Sequence, residues 1–267
     1  MPKLKAVTED RPPRLRDEDA APPRDAPSGA ALEKAFDKQA ERLKDLQKVF
    51  YADGRFALLV VLQGRDASGK DGVIKKVLGA VNPMGCEITS FKTPSEEERS
   101  HDFLWRIHAR VPARGTIGVF NRSHYEDVLV VRVNDIVPRK VWSKRFDQIN
   151  EFEHMLSLNN VVILKFMLHV SRDEQKKRLE ARLADRTKNW KFRAGDLKDR
   201  ANWEGFTKAY RDVVTKCSTP WAPWYVVPSD DNDVRNLLVA RAIADALESL
   251  ELRYPKAEKG VRELAIT

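Results

Sequence analysis

The sequence predicts an α/β protein with a five-stranded parallel sheet, and three observations lead to this fold class. Short apolar runs alternate with helical stretches along the chain. The first of these runs leads directly into a glycine-rich loop that is followed by a helix. The 267 residues, 42% of them hydrophobic and 33% charged, suffice for one large domain or two small ones and exclude a chain that is disordered throughout.

The predicted strands are the short apolar runs themselves. They comprise Ala57–Gln63, Glu87–Phe91, Thr116–Asn121, Val161–Val170 and Trp224–Pro228. The fourth run contains a lysine, Lys165, among its apolar residues. No run approaches the roughly 20 apolar residues that a helix needs to cross a bilayer, so we expect a soluble protein without a membrane partner.

Helices are predicted between and around these strands. Apolar residues at helical spacing predict an amphipathic helix over Ala31–Tyr51, which can pack on the domain or on another subunit. A final helix over Asp233–Glu251 closes the domain. Ser95 and Ser171 each precede a glutamate by three residues, the spacing of a capping box, and therefore mark two further helix starts.

The chain divides into an arm, one domain and a short tail. Residues 1–29 form the arm, which we expect to be disordered or loosely draped because six of the fourteen prolines fall within residues 1–28. Residues 30–252 form the domain and residues 253–267 the C-terminal tail. The N-terminus lacks the apolar stretch of a secretory signal, and Cys86 and Cys217 lie far apart, so we expect a cytoplasmic protein.

Positive charge is unevenly distributed along the chain. The 48 Lys and Arg residues exceed the 40 Asp and Glu residues by eight, which favours a polyanionic partner. Residues 176–200 alone hold ten basic and four acidic residues. Such a run is often only a solvated helix face. Here, however, Trp190 and Phe192 alternate with Lys191 and Arg193. This pattern predicts a mobile helical lid over about residues 178–200.

The strongest local signal is G-x-x-x-x-G-K at Gly64–Lys70, directly after the first predicted strand. Strand, loop and helix in this order predict a phosphate-binding P-loop, whose backbone N–H groups and lysine face phosphate oxygens. The alternative is a glycine turn with a surface lysine. The predicted phosphate-binding residues of this loop and of the helix after it are Gly64, Ala67, Ser68, Gly69, Lys70, Asp71, Lys75 and Lys76.

Two aspartates set this loop apart from the usual motif. Asp71 stands where a Ser or Thr hydroxyl would bind Mg²⁺, so another carboxylate must compensate. Asp66 lies inside the loop, an unfavourable place near phosphates unless it binds a metal, positions water or accepts a proton. We therefore expect Asp66 to be functional.

A second cluster, Asn121–Asp127, begins where the third predicted strand ends, at the sheet edge where ligands bind in α/β proteins. Asn121 occupies the position of the usual strand-end aspartate, and Glu126 and Asp127 follow as candidate metal ligands. Arg122 is a candidate bidentate phosphate clamp. The alternative is a capped helix start with exposed charges.

Two arginines of the basic segment, Arg178 and Arg182, are spaced to share one helix face, with phosphate as their expected object. Lys191 adds a cation within the predicted lid, and Lys75 and Lys76 can extend a positive track away from the nucleotide. Interleaved aromatic and basic residues also suit single-stranded nucleic acid. No dedicated nucleic-acid motif accompanies them, so we expect no nucleic-acid partner.

In combination, four motifs resemble the polyphosphate kinase 2 family. They are G-R-D-A-S-G-K-D at 64–71, F-N-R-S-H-Y-E-D at 120–127, E-Q-K-K-R-L-E-A-R at 174–182 and W-K-F-R at 190–193. The resemblance covers about residues 30–252. It implies a thymidylate-kinase-like P-loop fold in three α/β/α layers with a helical lid. It also implies Mg²⁺, with Mn²⁺ as an alternative, and an oligomer, either a dimer or a tetramer.

The resemblance also implies roles for individual residues. Lys70 and Arg122 hold the transferring phosphates, and Arg178 reaches in from the lid helix. Asp66 and Asp127 organise the acceptor and the metal. Four further residues are assigned to nucleotide binding, namely Asn121, Glu126, Arg182 and Lys191.

The implied reaction moves the terminal phosphate of inorganic polyphosphate to a nucleotide, reversibly. The segment Asn121–Asp127 looks like that of the class III branch, which accepts both AMP and ADP and gives ADP and ATP. Two alternatives stay open at this point. They are an ATP-dependent nucleoside monophosphate kinase and a non-catalytic P-loop protein that binds nucleic acid.

Overall fold

The computed structural model describes residues 2–192 and 194–261, and of residues 191 and 194 the backbone alone. Five strands form one parallel sheet in the order β2-β3-β1-β4-β5. Their bounds are β1 Ala57–Gly64, β2 Cys86–Ser90, β3 Ile117–Asn121, β4 Val161–His169 and β5 Trp224–Pro228. Every predicted strand is present, and each predicted end lies within one residue of the observed end.

Eleven α-helices are found in the described residues. They are α1 Gly29–Asp53, α2 Lys70–Val77, α3 Glu96–Ser100, α4 Trp105–His108, α5 Val130–Val133, α6 Arg139–Trp142, α7 Arg145–Leu158, α8 Arg172–Ala184, α9 Ala194–Ala201, α10 Trp203–Lys216 and α11 Asn232–Glu248. Short 3₁₀ turns cover Asp17–Ala20, Leu78–Ala80, Pro83–Gly85, His124–Asp127 and Asn189–Lys191. None of the described helices has both the length and the apolar character that crossing a membrane requires.

Helices cover both faces of the sheet, which explains why β1 is buried along its whole length. On one face, Leu58, Val60 and Leu62 of β1 pack in a core with residues of α1, α2 and α11. On the other face, Leu59 and Val61 pack in a core with residues of α7 and α10. The predicted three-layer α/β/α fold is therefore confirmed.

Helix α1 packs within its own chain, against α11. Its apolar residues Leu43 and Phe50 are buried in the same core as Leu247. At the rim, Arg42 Nη1 lies 2.7 Å from Asp245 Oδ1. The amphipathic face predicted from the sequence is thus used inside the domain.

The two predicted helix starts are confirmed in detail. The Ser95 hydroxyl accepts a hydrogen bond from the Glu98 N–H at 3.1 Å, and the Ser171 hydroxyl accepts one from the Glu174 N–H at 3.2 Å. Each hydroxyl satisfies a backbone donor that the first helical turn leaves without an internal partner. Ser171 thereby fixes where α8 begins, at the carboxyl end of β4.

The described part of the N-terminal arm lies against the β5 edge of the sheet. The Val7 N–H donates to the Trp224 carbonyl at 2.8 Å, and Val7, Leu15 and Ala20 are buried. Farther along, the Asp230 N–H donates to the Ala20 carbonyl at 3.1 Å. The arm therefore packs on the domain and covers an edge strand whose backbone groups would otherwise be unpaired.

Candidate active site

The P-loop and the segment after β3 meet at one cleft, at the carboxyl ends of β1 and β3. Four residues predicted for the site line it, namely Gly64, Asp66, Arg122 and Glu126. A crevice at this sheet edge is where α/β proteins of this topology bind ligands.

Lys70, the first residue of α2, is folded back onto its own loop. Its ammonium donates to the carbonyls of Gly64 at 2.7 Å and Arg65 at 3.1 Å, and its side chain is buried. Burial lowers the pKa of Lys70 to about 8, and the positive charge of Arg122 acts in the same direction. Lys70 is therefore a buried cation whose present partners are neutral carbonyls.

The loop itself needs unusual backbone geometry. Gly69, which precedes α2, has φ +99°, a conformation that favours glycine, and Ala67 adopts φ 61° without that freedom. The Ser68 N–H donates to the Arg65 carbonyl at 3.2 Å, and Ser68 is fully buried. Ala67 and Ser68 can therefore contribute to a phosphate site through the shape of the backbone.

Arg122 joins the two loops of the site. Its guanidinium lies 2.7 Å from Asp66 Oδ1 and 3.3 Å from Glu126 Oε2, and its backbone is left-handed with φ 62°. Burial raises the pKa of Asp66, but the charges of Lys70 and Arg122 outweigh this effect and hold that pKa below its usual value. We call Asp66, Lys70, Arg122 and Glu126 the P-loop cluster.

Asn121 and Asp71 connect β3 to α2. The Asn121 side-chain amide donates to Asp71 Oδ1 at 2.9 Å. Asp71, which stands in place of the usual Ser or Thr, therefore contacts Asn121, which stands in place of the usual strand-end aspartate. Both substitutions noted in the sequence thus lie at one contact. Lys75 and Lys76 are exposed on α2 and do not line the cleft.

Asp127 points away from the cleft. Its Oδ1 lies 2.9 Å from Arg145 Nη1, its Oδ2 lies 4.0 Å from Arg106 Nη2, and the residue does not line the cleft wall. Burial raises the pKa of Asp127, with Arg145 and Arg106 opposing that shift. The structure therefore does not bring Asp127 together with Asp66 in its present arrangement.

Arg178 and Arg182 occupy different environments although they share a helix. Arg178 donates to the Ala67 carbonyl at 3.1 Å and to the carbonyls of Ser229 at 2.7 Å and Asp230 at 2.9 Å, so it ties the P-loop to the loop before α11. Arg182 lies 3.9 Å from Asp196 of α9. The predicted lid is thus helical. The side chain of Lys191 and the whole of Arg193 lie outside the described residues.

A second ionic group lies entirely within the core and includes two residues of the segment Asn121–Asp127. Glu153 of α7 accepts hydrogen bonds from the Tyr125 hydroxyl at 2.8 Å and from Lys165, and it contacts His124 Nε2 at 3.1 Å. All four side chains are fully buried. We call them the buried network. Lys165 within an otherwise apolar strand was the sequence signal for it, but its partner Glu153 gave none.

Several cleft residues were missed in the sequence because they have the spacing of core residues. Trp203 and Tyr210 have the helical spacing of core residues on one face of α10, and both are buried, but they also line the cleft. Arg65 stacks on Trp203 at 3.8 Å. Asp196 and Asp199 of α9 add two acidic side chains to the wall. Helical spacing alone does not distinguish a core face from a cleft wall.

Known proteins resemble this chain along most of its length. Residues 28–255 match the model of the family described as Polyphosphate kinase 2 (PPK2). A relative from Meiothermus ruber, named AMP/ADP-polyphosphate phosphotransferase, is 48% identical over 237 residues, 89% of this chain and 88% of the relative. This chain belongs to the polyphosphate kinase 2 family. The resemblance predicted from the four motifs is confirmed.

Two further matches extend the comparison. A relative from Rhodopseudomonas palustris, named ADP-polyphosphate phosphotransferase, is 46% identical over 84% of this chain and 82% of its own length. The crystal structure of polyphosphate kinase 2 from Arthrobacter aurescens TC1 superposes with a TM-score of 0.87 at 39% identity, covering 98% of this chain and 97% of that one. The P-loop kinase fold is therefore shared along almost the whole chain.

A phosphotransferase of the polyphosphate kinase family implies a divalent metal ion, and the cleft offers oxygen ligands for one. Asp66 and Glu126 both present carboxylates to it. No group of three or more metal-ligating side chains occurs within the part of the chain that the structure describes. A small divalent cation such as Mg²⁺ needs only one or two protein carboxylates when substrate phosphates and water complete its shell. The residues present therefore fit such an ion.

Proposed function

We propose that this polyphosphate kinase moves the terminal phosphate of inorganic polyphosphate to AMP and to ADP, giving ADP and ATP, in a reversible and Mg²⁺-dependent reaction. The observation that carries the proposal is that Arg122 lines the cleft with Asp66 and Glu126 and lies close enough to the buried Lys70 for its charge to act on that lysine. Two cations grouped with two carboxylates suit a transfer in which every reactant is anionic.

The protein's contribution to such a transfer is positioning and charge neutralisation. Lys70 and Arg122 neutralise phosphate oxygens that otherwise repel one another. Asp66, held at 2.7 Å from Arg122, orients that guanidinium and supplies a carboxylate to the metal. A bound Mg²⁺ would withdraw charge from the phosphoryl oxygens, and Asp66 and Glu126 would hold it.

The remaining assigned residues act around this centre. Asn121 and Arg182 contribute to nucleotide binding with Glu126 and Lys191, and Arg178 fixes the loop that surrounds the phosphate. Lys75 and Lys76, exposed on α2, extend a positive surface for the polyphosphate chain. We keep Asp127 as a second metal ligand, a role that requires it to exchange Arg145 for the ion.

The acceptor is the least constrained part of the proposal. The Meiothermus relative is named for AMP and ADP, and the Rhodopseudomonas relative, of similar identity, is named for ADP. The segment Asn121–Asp127, with asparagine at the strand end and a Glu-Asp pair after it, supports joint acceptance of AMP and ADP. We further propose a cytoplasmic homo-oligomer, dimer or tetramer, with no nucleic-acid partner. The two free cysteines fit a reducing compartment.

The test is ATP formation by purified protein given long-chain polyphosphate, Mg²⁺ and either AMP or ADP alone. We expect ATP from both acceptors and none after chelation of the metal. Omitting polyphosphate controls for conversion of two ADP into ATP and AMP, and Lys70→Met protein prepared in parallel controls for contaminating kinases. ATP from ADP alone would remove AMP as an acceptor. No product from either, with phosphorylation of AMP by ATP instead, would support the ATP-dependent monophosphate kinase.

A further inference from the structure

Arg235, on the first turn of α11, is a buried guanidinium directly behind the P-loop. It is 1% exposed. Its Nη1 donates to Asn232 Oδ1 at 2.5 Å and to the Ser68 carbonyl at 3.4 Å, and its Nη2 donates to Asn236 Oδ1 at 2.9 Å. All of these acceptors are neutral.

The guanidinium lies against the backbone at the start of α2. A Cβ atom at Gly72 would stand 2.9 Å from Arg235 Nη2, and one at Gly69 would overlap Nη1. Gly72 is an ordinary helical position by its backbone, so its close contact with Arg235 is what favours glycine there. Gly69 and Gly72 therefore leave space for the guanidinium of Arg235, and Gly69 also adopts the left-handed backbone conformation of the loop.

Among residues 2–192 and 194–261, no carboxylate forms an ion pair with Arg235. Asp231 and Asp233 attract its charge from a longer distance, but the repulsion from Arg178 is the stronger effect. Burial, followed by this repulsion, lowers the pKa of Arg235 to about 10. The N-terminus of α2 adds positive potential at the same place. A buried cation in such surroundings lowers the stability of the protein without bound phosphate.

The contact with Ser68 also fixes the direction of a peptide group. In a planar trans peptide the N–H points away from the carbonyl, so Arg235, by holding the Ser68 carbonyl, turns the Gly69 N–H to the opposite side. Arg178 holds the neighbouring Ala67 carbonyl in a similar way. Two arginines therefore hold consecutive carbonyls of the loop from behind.

We propose that Arg235 is a positioning residue of the phosphate site, which holds the Ser68–Gly69 peptide in its binding orientation and provides positive charge that bound phosphate neutralises. The inference rests on the proposed function, since it takes polyphosphate to be the anion in the loop. It assigns to Arg235 a role in anion affinity through the loop, without contact to the substrate.

The first test is titration calorimetry with tripolyphosphate on the full-length protein, with thermal unfolding of the unliganded protein alongside. Arg235→Met should weaken tripolyphosphate binding about five- to tenfold, as expected for losing one cation at short range through a partly screened medium. Arg235→Lys should recover part of the affinity. The unliganded protein should unfold at the same or a higher temperature, because the uncompensated charge is gone.

The matched control is Arg241→Met, which removes the same charge from the same helix, where Arg241 lies 3.9 Å from Asp245 Oδ2. Its affinity for tripolyphosphate should be unchanged. Arg235→Met protein that unfolds at a lower temperature but binds tripolyphosphate like the wild type would show a purely structural role and overturn the inference. Wild-type protein that does not bind tripolyphosphate would overturn the proposed function, and the inference with it.

A second variant keeps the test decisive if Arg235→Met does not fold. Gly72→Ala should displace the guanidinium through its Cβ and weaken tripolyphosphate binding, although alanine favours the helix. In the Arg235→Met background the same change should have no further effect, since the clash is removed. Gly72→Ala protein with wild-type affinity would contradict the inference.

Discussion

One seven-residue segment, Asn121–Asp127, contributes to two ionic groups with opposite properties. Arg122 and Glu126 belong to the P-loop cluster, where the Arg122 and Asp66 side chains are 34% and 22% exposed. His124 and Tyr125 belong to the buried network, where Lys165 and Glu153 are 0% exposed. The tight turn over His124–Asp127 directs His124 and Tyr125 into the core and Glu126 to the cleft.

Only ion pairs that face the cleft are available for chemistry. The buried network has no access to solvent or ligand, so its partners cannot be exchanged, and its value is to hold the segment on β4 and α7. The P-loop cluster faces a cleft, and its carboxylates and cations can exchange one another for metal and phosphate. We therefore expect substitutions in the cluster to reduce turnover and substitutions in the network to reduce stability.

The largest effect should come from Lys70→Met. Loss of the P-loop cation should reduce polyphosphate-dependent ATP formation at least about a thousandfold, since a charge on the transferring group would be left without neutralisation. The free energy of unfolding should not fall, because the cost of burying the ammonium outweighs its attraction to Asp66, Glu126 and Asp71, as its lowered pKa shows. Activity assays and urea unfolding measure the two quantities.

The control for Lys70→Met is Lys48→Met, which removes an exposed lysine from α1 and its pairing with Asp45. Turnover by that variant should be close to wild type. If Lys70→Met protein retained near-normal turnover, Lys70 would not belong to the reaction centre, and the division between the two groups would fail.

Lys165→Met should show the reverse pattern. Removing one partner leaves the Glu153 carboxylate buried and uncompensated, which costs about 3–5 kcal/mol in the free energy of unfolding. Protein that folds at low temperature should keep much of its turnover, because the P-loop cluster is intact. Urea unfolding at constant pH measures the loss.

The double variant Lys165→Met, Glu153→Gln sharpens this result. It replaces the charged pair by neutral groups and should recover part of the lost stability, a sign of pairwise coupling. A Lys165→Met protein as stable as the wild type would show that the buried pair does not stabilise the fold. One that is inactive at full stability would show that the buried network takes part in the reaction.

The sequence was most informative at positions where the local backbone conformation determines the residue type. The P-loop glycines, the apolar strands and the Ser95 and Ser171 caps each follow from short-range rules, and all were found. Arg122 and Glu126 were placed correctly at the cleft because β3 ends at the sheet edge where ligands bind.

The rest depended on contacts between distant residues. Glu153 lies 28 residues from Tyr125 and 12 from Lys165, and no pattern along the chain pairs them. Trp203 and Tyr210 have the periodicity of a core face, which a cleft wall shares. Asp127 follows Glu126 directly, yet it faces Arg145 on α7 because the turn points consecutive side chains in different directions. Such directions are set by packing that the sequence does not show.

Asp66→Asn should have a smaller effect than Lys70→Met. The amide removes a negative charge from the metal and from Arg122 while keeping the shape of the side chain, so turnover should fall about a hundredfold. Raising the Mg²⁺ concentration should restore part of the activity if the carboxylate binds the metal. An unchanged Mg²⁺ dependence would leave Asp66 with the orientation of Arg122 as its only role.

We expect the smallest effect from a change of pH, which alters activity and stability differently through one residue, Lys70. Free protein holds the Lys70 proton only up to about pH 8, below its ordinary value of 10.5, so kcat/KM for polyphosphate should fall about tenfold per pH unit above that point. Bound phosphate favours the charged form, so kcat at saturating polyphosphate should decline only at higher pH.

The stability of the protein should change in the opposite direction over the same pH range. Between about pH 8 and pH 10.5 the unfolded chain binds more protons at Lys70 than the folded one, so the free energy of unfolding contributed by Lys70 should rise with pH. Subtracting the stability profile of Lys70→Met from that of the wild type isolates this rise. A difference profile that is flat from pH 7 to 10 would show that the ammonium is not destabilised by burial, and the contrast with the compensated Lys165 would be lost.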